Sequence, residues 1–339
     1  MAIKAVLQDI RSYVPATKLT NEDLANEFKD WDVEKIYSKT GIAVRGIAGP
    51  EECASDLGVA AAEKLFTSGV VRREAIDYLL FCTQTPDYLL PTTACLIHRR
   101  LGLAANCGAV DINQGCSGYV YGLSIAKGVI ESGIARNVLL ITGDTYSKYI
   151  NARDRSVRTI FGDGATATWI SAEEHDHDCI GPFVLGTDGS GANQLIVRAG
   201  GMRQRVSDET AVEKQDPSRN IRSDNNLFMN GGEVFAFTLR AVPDLVLQTL
   251  TKAGLTLDGI DFFVFHQANR YMLEQLRTKI KIPTTRFCIN MESYGNTVSS
   301  TIPMALEIAM VEGQINRGNV VMLVGFGVGY SWGSSIIRL

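Results

Sequence analysis

The chain is poor in the features that mark several easily recognised classes of protein. Its seven cysteines are odd in number and widely spaced, with no Cys-x-x-Cys pair, so the sequence favours neither a disulfide framework nor zinc-finger spacing. It has no basic excess, because 33 Lys and Arg face 37 Asp and Glu. The formal net charge of -4 gives nucleic acid no electrostatic reason to bind. We predict a reduced, cytoplasmic protein with no nucleic-acid partner.

Long hydrophobic runs and nucleotide-binding glycine motifs are also missing. No uninterrupted apolar stretch reaches the roughly 18 residues that span a bilayer, and the N-terminus lacks the basic start and apolar core of a secretory signal. We therefore predict no membrane partner. No Gly-x-Gly run opens a βαβ unit with a following acid, so we also predict no nicotinamide or flavin cofactor.

What the sequence does contain is a pattern that occurs twice. Strand-like and helix-like segments alternate, which indicates an α/β fold. The matching segments are 76–81 with 260–265, 115–117 with 295–297, and 137–141 with 319–323. Their offsets of 184, 180 and 182 residues are nearly equal. We predict two similar halves, residues 1–175 and 176–339.

The junction between these halves, residues 173–179, reads Glu-Glu-His-Asp-His-Asp-Cys. Such a mixture of side chains can bind a transition metal ion. Adjacent side chains of an extended strand point in opposite directions, however, so few of them are expected to reach one ion. We predict a solvated acidic loop and no metal site.

Cys116 is a candidate nucleophile. It lies where an apolar strand ends in a turn and an apolar helical run follows from about Ser117 to Ile130. The positive end of a helix dipole stabilises a thiolate, and a free thiol with a pKa of about 8.5 needs such help at neutral pH. Most cysteines are nevertheless inert small hydrophobic residues, so Cys116 alone supports either interpretation.

Two further polar residues favour catalysis. His266 directly follows the apolar strand 262–265 and opens into a polar turn, whereas the other three histidines lie in basic or acidic segments typical of the surface. Asn296 lies in the second-half counterpart of the Cys116 turn, and the repeat predicts that these two loops face each other. We therefore group Cys116, His266 and Asn296 as catalytic residues.

At these positions the chain resembles the β-ketoacyl-acyl-carrier-protein synthase III family, over essentially its whole length. The motifs are Lys-Thr-Gly-Ile (39–42), Gln-Gly-Cys-Ser-Gly (114–118), Ile-Phe-Gly-Asp-Gly-Ala (160–165), His-Gln-Ala-Asn (266–269), Gly-Asn-Thr (295–297) and Gly-Phe-Gly-Val-Gly-Tyr-Ser-Trp-Gly (325–333). The resemblance implies a thiolase fold, a duplicated αβαβα architecture of five layers. It also implies a homodimer that uses a coenzyme A thioester as substrate and holds no cofactor.

The resemblance further implies a condensing acyltransferase. Cys116 would receive an acyl group from an acyl-CoA or acyl-carrier-protein donor, and the group would be joined to malonyl-acyl-carrier protein by decarboxylative Claisen condensation. His266, with Asn269 or Asn296, would hold the carbonyl of the malonyl thioester while an enolate forms. The product would be a β-ketoacyl thioester.

Two more positions near the nucleophile follow from the resemblance. The backbone N–H groups of Cys116 and Val328 would form a second oxyanion hole, for the adduct at sulfur. Phe161 resembles the family's aromatic residue beside the nucleophile, where it would shield the enolate from water.

The donor-binding residues depart from the family pattern. The Trp that stacks on adenine falls on Lys35, with Trp31 four residues earlier, while its partner Arg is kept as Arg155. The Arg that contacts phosphate is Lys39, which keeps the charge and loses the fork geometry. An Asn near the pantetheine arm is Gly232. Either coenzyme A binds with Trp31 in place of the Trp that stacks on adenine, or the donor arrives on a carrier protein.

The sequence leaves open the dimer contact, the carrier-protein contact and the final acyl acceptor. Leu90 occupies the position expected to reach across the dimer and close the acyl pocket, and the Arg that docks carrier protein falls on Tyr271, beside Arg270. The starter could be unusual, or the acyl group could go to an alcohol or amine in secondary metabolism or surface-polysaccharide synthesis. An inactive partner subunit is disfavoured because all three catalytic residues are kept.

Overall fold

The computed structural model describes residues 1–28 and 31–339 as two large sheets and three two-stranded sheets, with helices between and around the two large ones. Its strands are β1 (Ala2–Tyr13), β2 (Lys18–Thr20), β3 (Val44–Gly46), β4 (Tyr78–Cys82), β5 (Gly108–Ile112), β6 (Asn137–Asp144), β7 (Gly164–His175), β8 (Ile180–Thr187), β9 (Leu195–Val197), β10 (Lys214–Gln215), β11 (Ile221–Arg222), β12 (Leu227–Met229), β13 (Phe262–Phe265), β14 (Val320–Gly327) and β15 (Ser331–Arg338). Its helices are α1 (Asn21–Glu27), α2 (Val33–Thr40), α3 (Ala54–Thr67), α4 (Thr93–Leu101), α5 (Gly118–Glu131), α6 (Arg155–Arg158), α7 (Gly231–Ala253), α8 (Arg270–Ile280) and α9 (Thr301–Val311).

The two large sheets repeat one topology. The first has the order β1-β7-β6-β4-β5, and the second, read from its first strand in the chain, has the order β8-β15-β14-β13. In both orders the first two pairings are antiparallel and the third is parallel, and the fourth pairing of the first sheet, β4 with β5, is parallel as well. In the second sheet, a single parallel bridge between Phe263 and Phe287 takes the place of the strand that would correspond to β5. This correspondence supports the predicted halves; their boundary at residue 175 remains a prediction, and β7 ends there.

Alternation along the strands builds the layers. Side chains of successive strand residues point to opposite faces, so Leu79 and Phe81 pack with α3 and α4, whereas Leu80 packs with the central helices α5 and α9. In the second sheet Val264 packs on the same central pair, while Phe263 packs with α7 and α8. The order is therefore α3/α4, sheet, α5/α9, sheet, α7/α8, which is the predicted five-layer arrangement.

The loops before the two central helices carry candidate residues. Helix α5 begins at Gly118, so the helix predicted after Cys116 is confirmed. Helix α9 begins at Thr301, five residues after Asn296, and follows a short 3₁₀ turn over Val298–Ser300. Since both helices lie between the sheets, their N-terminal loops meet at the seam of the two halves.

Helix α7 is long and apolar. Its 23 residues include an 18-residue stretch with a mean hydropathy of 1.2, which is enough by length and composition to cross a membrane. Core helices of soluble proteins meet the same test. Since α7 packs along β8, β14 and β15, with Phe237, Val242 and Leu245 buried in the core, its apolar composition has an explanation within the fold.

The junction between the halves also differs from expectation. His175 ends β7 and Cys179 immediately precedes β8. The potential ligand atoms of His175, His177 and Cys179 all lie within 4.8 Å of one another. The expectation that few side chains converge there assumed an extended strand, whereas the chain bends over residues 176–179 and brings these three side chains together.

Candidate active site

Cys116, His266 and Asn296 line one cavity of about 110 Å³. All three are buried. They arrive on three different loops, after β5, after β13 and before α9. The rest of the lining is mainly apolar and includes Ile160, Leu195, Met229, Val234, Met272 and Phe326. The cavity thus combines a thiol, an imidazole and an amide in surroundings that exclude bulk water.

Glycines of β14 let Cys116 approach the second half of the chain. A Cβ on Gly327 would lie 2.8 Å from the Cys116 Sγ, and one on Gly325 would lie 2.7 Å from the Ser117 Cα. The Ser117 hydroxyl is also hydrogen-bonded to that of Ser331, at 2.8 Å. The loop that carries Cys116 in one half therefore packs closely against the β14–β15 hairpin of the other half.

The electrostatics of Cys116 differ from the sequence prediction. Burial raises the pKa of its thiol to about 12, although the backbone N–H groups of Val328 and of Cys116 itself donate toward the sulfur and oppose that rise. The resting residue is thus a neutral thiol rather than the stabilised thiolate expected from the helix dipole, because desolvation outweighs those donors. The oxyanion hole predicted from these two N–H groups stays a prediction.

His266 is held by two polar contacts and one aromatic contact. Its backbone N–H donates to the Val324 carbonyl at 2.8 Å, and its Nδ1 lies 2.6 Å from the Thr301 hydroxyl. The ring of Phe326 packs edge-on against it, with the centroids 5.5 Å apart. Burial lowers the pKa of His266 to about 3, so the imidazole is neutral.

Asn296 is fixed through its backbone and its side-chain oxygen. Its N–H donates to the Ile160 carbonyl at 2.9 Å and its carbonyl accepts from the Gly162 N–H at 3.0 Å. Its Oδ1 accepts from the Val298 N–H at 2.9 Å. Because the oxygen is engaged, and Nδ2 donates to no residue in the described ranges, the amide N–H groups are left to donate to a substrate.

Asn269 and Phe161 also line the cavity. The Asn269 Oδ1 caps helix α8 by accepting from the Met272 N–H at 2.8 Å, so this residue has a structural task that its sequence motif does not reveal. Phe161 forms a backbone bridge with Asn296 and packs its ring 5.3 Å from that of Tyr146. It also borders a second hollow of about 290 Å³, and thus forms a wall between the two spaces.

Sequence reasoning missed three side chains of this region. Thr301 contacts His266 from the first turn of α9. Phe326 lies in the glycine-rich motif 325–333, and the sequence predicted no role for it. Tyr146 is buried near Cys116, and its hydroxyl donates to Gln84 Oε1 at 2.6 Å. Phe326 could have been found from its place in that motif. No pattern in the sequence pairs Tyr146 with Gln84, which is 62 residues away.

The predicted donor-binding residues fall into two groups. The Arg155 guanidinium lies 5.2 Å from the ring centroids of both Trp31 and Phe28, and those rings stack 4.6 Å apart. Trp31 and Arg155 are therefore in direct contact, and their role in binding adenine stays a prediction. Lys35, Lys39 and Gly232 are exposed and do not line the cavity.

The partner-facing positions point away from the cavity. Leu90 is 81% exposed and continues an apolar surface formed with Tyr88 and Leu89, so its role as a gate depends on a second chain and stays a prediction. Tyr271 is exposed, whereas Arg270 donates to the Tyr37 hydroxyl at 3.2 Å and lies 3.7 Å from Glu292. Arg270 is thus engaged within the chain.

Comparisons with known proteins agree with this geometry. The family model for 3-oxoacyl-[acyl-carrier-protein] synthase III matches residues 110–189, and the model for its C-terminal part matches residues 250–339. A β-ketoacyl-[acyl-carrier-protein] synthase III of Caldanaerobacter subterraneus subsp. tengcongensis is 39% identical, over 96% of this chain and 95% of the relative.

Solved structures give the same result. A crystal structure of a 3-oxoacyl-(acyl-carrier-protein) synthase III is 52% identical, with a TM-score of 0.98 over 99% of this chain and 100% of that one. The priming β-ketosynthase of a polyketide biosynthetic pathway is 30% identical, with a TM-score of 0.86 over 99% of this chain and 96% of that one.

Proposed function

We propose a reaction for this chain from the premise that it belongs to the 3-oxoacyl-[acyl-carrier-protein] synthase III family. That membership confirms the predicted thiolase fold and the prediction of a condensing acyltransferase. The donor, the acceptor and the residue roles are the proposal. The observation that carries it is the single buried cavity that holds Cys116, His266 and Asn296.

In the first step, Cys116 takes the acyl group from a thioester donor. Its Sγ forms a bond to the carbonyl carbon, the bond to the donor sulfur breaks, and the thiol proton ends on the leaving thiol. The transient oxyanion would accept from the N–H groups of Cys116 and Val328, which already point toward the sulfur. While no donor is bound, a neutral thiol is less readily oxidised than a thiolate would be.

In the second step, a malonyl thioester on acyl carrier protein loses carbon dioxide. The electron pair of the broken C–C bond forms an enolate, whose oxygen would accept from His266 Nε2–H and an Asn296 amide N–H. The carbanion then attacks the acyl carbon, the bond to Cys116 breaks, and the released thiolate recovers a proton from solvent. Both donors suit this task because neither the neutral imidazole nor the amide is an acid strong enough to quench a carbanion.

The size of the cavity favours a short starter. About 110 Å³ accommodates an acyl group of a few carbons, and the buried Tyr146 packs against Phe161, which lines the cavity. The stack of Arg155 on Trp31 supports coenzyme A as its carrier, through an adenine contact that replaces the family's Trp. A homodimer, in which the exposed Leu90 completes the acyl pocket of the partner, is part of the same proposal.

The test separates the two steps. Intact-mass spectrometry after incubation with acyl-CoA donors of rising chain length should show one acyl group on the native chain and none on Cys116→Ala. The matched control is Cys95→Ser, since Cys95 is an exposed free cysteine. The acylated protein is then given malonyl-acyl carrier protein, and release of carbon dioxide and the β-ketoacyl product are measured.

His266→Ala and Asn296→Ala should still form the acyl-enzyme and should lose malonyl decarboxylation. Mass gain on a residue other than Cys116, or equal loss of both steps in the two variants, would show that the roles are assigned wrongly. Acylation from acyl carrier protein with none from coenzyme A would overturn the proposed donor.

A further inference from the structure

The turn that joins the two halves brings together side chains that bind transition metals. His175 Nε2 or Nδ1, His177 Nε2 or Nδ1 and Cys179 Sγ all lie within 4.8 Å of one another. We propose that His175, His177 and Cys179 form a binding site for a divalent transition metal ion, zinc in the first instance, at the joint between β7 and β8. The catalytic cavity shares none of these residues.

The backbone holds two of the three ligands in place. His175 is the last residue of β7 and is paired with Ala2 of β1. The Cys179 carbonyl accepts from the Arg338 N–H at 2.8 Å, which fixes Cys179 at the edge of the second sheet. Only residues 176–178 lie between these two anchors. The site is therefore preorganised by both sheets, and the more exposed His177 is the ligand that must adjust.

The ligand chemistry selects the metal. Two imidazoles and a thiolate suit zinc, which binds nitrogen at about 2.0–2.1 Å and thiolate sulfur at about 2.3 Å in a tetrahedron. Ligand atoms in such a tetrahedron are about 3.5 Å apart. Each pair in the present arrangement is within 4.8 Å, so rotamer adjustments of about 1 Å complete the geometry. Hard cations such as magnesium prefer oxygen ligands and are excluded by the donor set.

Glu173 is placed to be the fourth ligand. It occupies the next alternate position of β7, and its Oε2 lies 3.2 Å from His175 Nε2. A zinc ion with one thiolate and one carboxylate carries no net charge. That neutrality fits a hollow of about 330 Å³ whose lining also includes Arg317 and Arg338, where an isolated divalent cation would be repelled.

A metal here would link the end of the first sheet to the start of the second. Its expected effect is on stability, since a ligand that binds only the folded state raises the free energy of unfolding. Acylation and condensation should be unchanged, because the site contributes nothing to the catalytic cavity.

The experiment measures metal content in protein without a histidine tag. The native chain, saturated with zinc and dialysed, should retain one zinc per chain by elemental analysis. With Co²⁺ as the probe it should show a thiolate-to-cobalt charge-transfer band. His177→Ala and Cys179→Ser should lose both signals, while His98→Ala, Cys95→Ser and Cys116→Ala should keep them. Since Cys179 is buried and its replacement could impair folding, the exposed His177 provides the second, independent variant.

A thermal melt gives a further readout. Zinc should raise the Tm of the native chain by a few degrees and leave that of His177→Ala unchanged, with the rise reversed by a chelator. Retention of less than a tenth of an equivalent of zinc by the native chain would overturn the proposal. So would zinc that persists in both His177→Ala and Cys179→Ser, or zinc lost in Cys116→Ala, which would place the metal on the catalytic thiol.

Discussion

The hydroxyl of Thr301 offers the sharpest test of how His266 works. It lies 2.6 Å from His266 Nδ1 and 3.1 Å from the Val298 carbonyl oxygen. Burial lowers the pKa of the imidazole to about 3, so only one ring nitrogen carries a proton. The single proton of the Thr301 hydroxyl can go to the Val298 carbonyl oxygen or to Nδ1. The prediction takes the second case, in which Nδ1 is the acceptor and the imidazole proton must be on Nε2. That tautomer is the one that can donate to the enolate oxygen.

Thr301→Val removes the donor and keeps the shape of the side chain. A buried polar group that loses its hydrogen-bond partner costs about 1–3 kcal/mol. Because the lost bond selects the working tautomer, the cost should fall on the condensation step, which corresponds to a rate about 5- to 150-fold lower. Acylation of Cys116 uses the backbone N–H groups instead, so its rate should change by less than about threefold.

The two rates are measured separately on each variant, acylation by rapid-quench intact mass and condensation by carbon dioxide release from preformed acyl-enzyme. Thr301→Ser is the matched control, because it keeps the hydroxyl and should restore condensation to within a few-fold of the native rate. A loss of acylation as large as the loss of condensation would refute the reasoning, since it would mean that Thr301 supports the fold of the site rather than the tautomer of His266.

Three further predictions concern other parts of the site. Burial raises the pKa of Asp144 to about 7 from its usual 3.8, so the folded chain keeps a proton that the unfolded chain has lost, and the free energy of unfolding should fall by about 4 kcal/mol as pH rises through this window. Asp144→Asn should remove that decline, as measured by urea denaturation across pH; an unchanged pH profile would contradict it. Phe161→Leu should open the wall toward the neighbouring hollow and raise kcat/KM for longer acyl groups relative to acetyl about tenfold; no shift would mean that the hollow is not connected. Arg155→Ala should raise KM for acyl-CoA about tenfold and leave KM for an acyl-pantetheine donor unchanged; equal effects on both would exclude an adenine contact.

The layered fold could be predicted because it depends on patterns that sequence records directly. The run Leu79-Leu80-Phe81 is apolar at every position, and in the structure its members face two different layers. The recurrence of that run at 260–265 then indicated a second sheet. What the pattern did not reveal is that one strand of the second sheet is reduced to a single bridge at Phe287, since hydrogen bonding between distant segments leaves no local signal.

The site was predictable only in part. Cys116, His266 and Asn296 lie in motifs, so their grouping could be predicted from the sequence, and they line one cavity in the structure. The pKa of Cys116 could not, because it depends on desolvation by residues from both halves. The convergence of His175 and Cys179 required the course of the chain through the turn, and the contact of Thr301 with His266 required the position of α9.

The duplication explains why the reacting groups meet at all. Each half contributes groups that the other holds in place: Asp144 of the first half accepts from the Ser299 N–H and hydroxyl of the second, and Asn296 is bridged to Phe161. Removing any one of these bonds leaves the partner buried and unsatisfied, at a cost of about 1–3 kcal/mol. The geometry of the cavity is therefore coupled to the seam between the sheets, so a substitution at the seam can displace the nucleophile without touching the substrate. A Cβ at Gly327, 2.8 Å from the Cys116 sulfur, would do so most directly, because the displaced sulfur could no longer face the two backbone N–H groups of the proposed oxyanion hole.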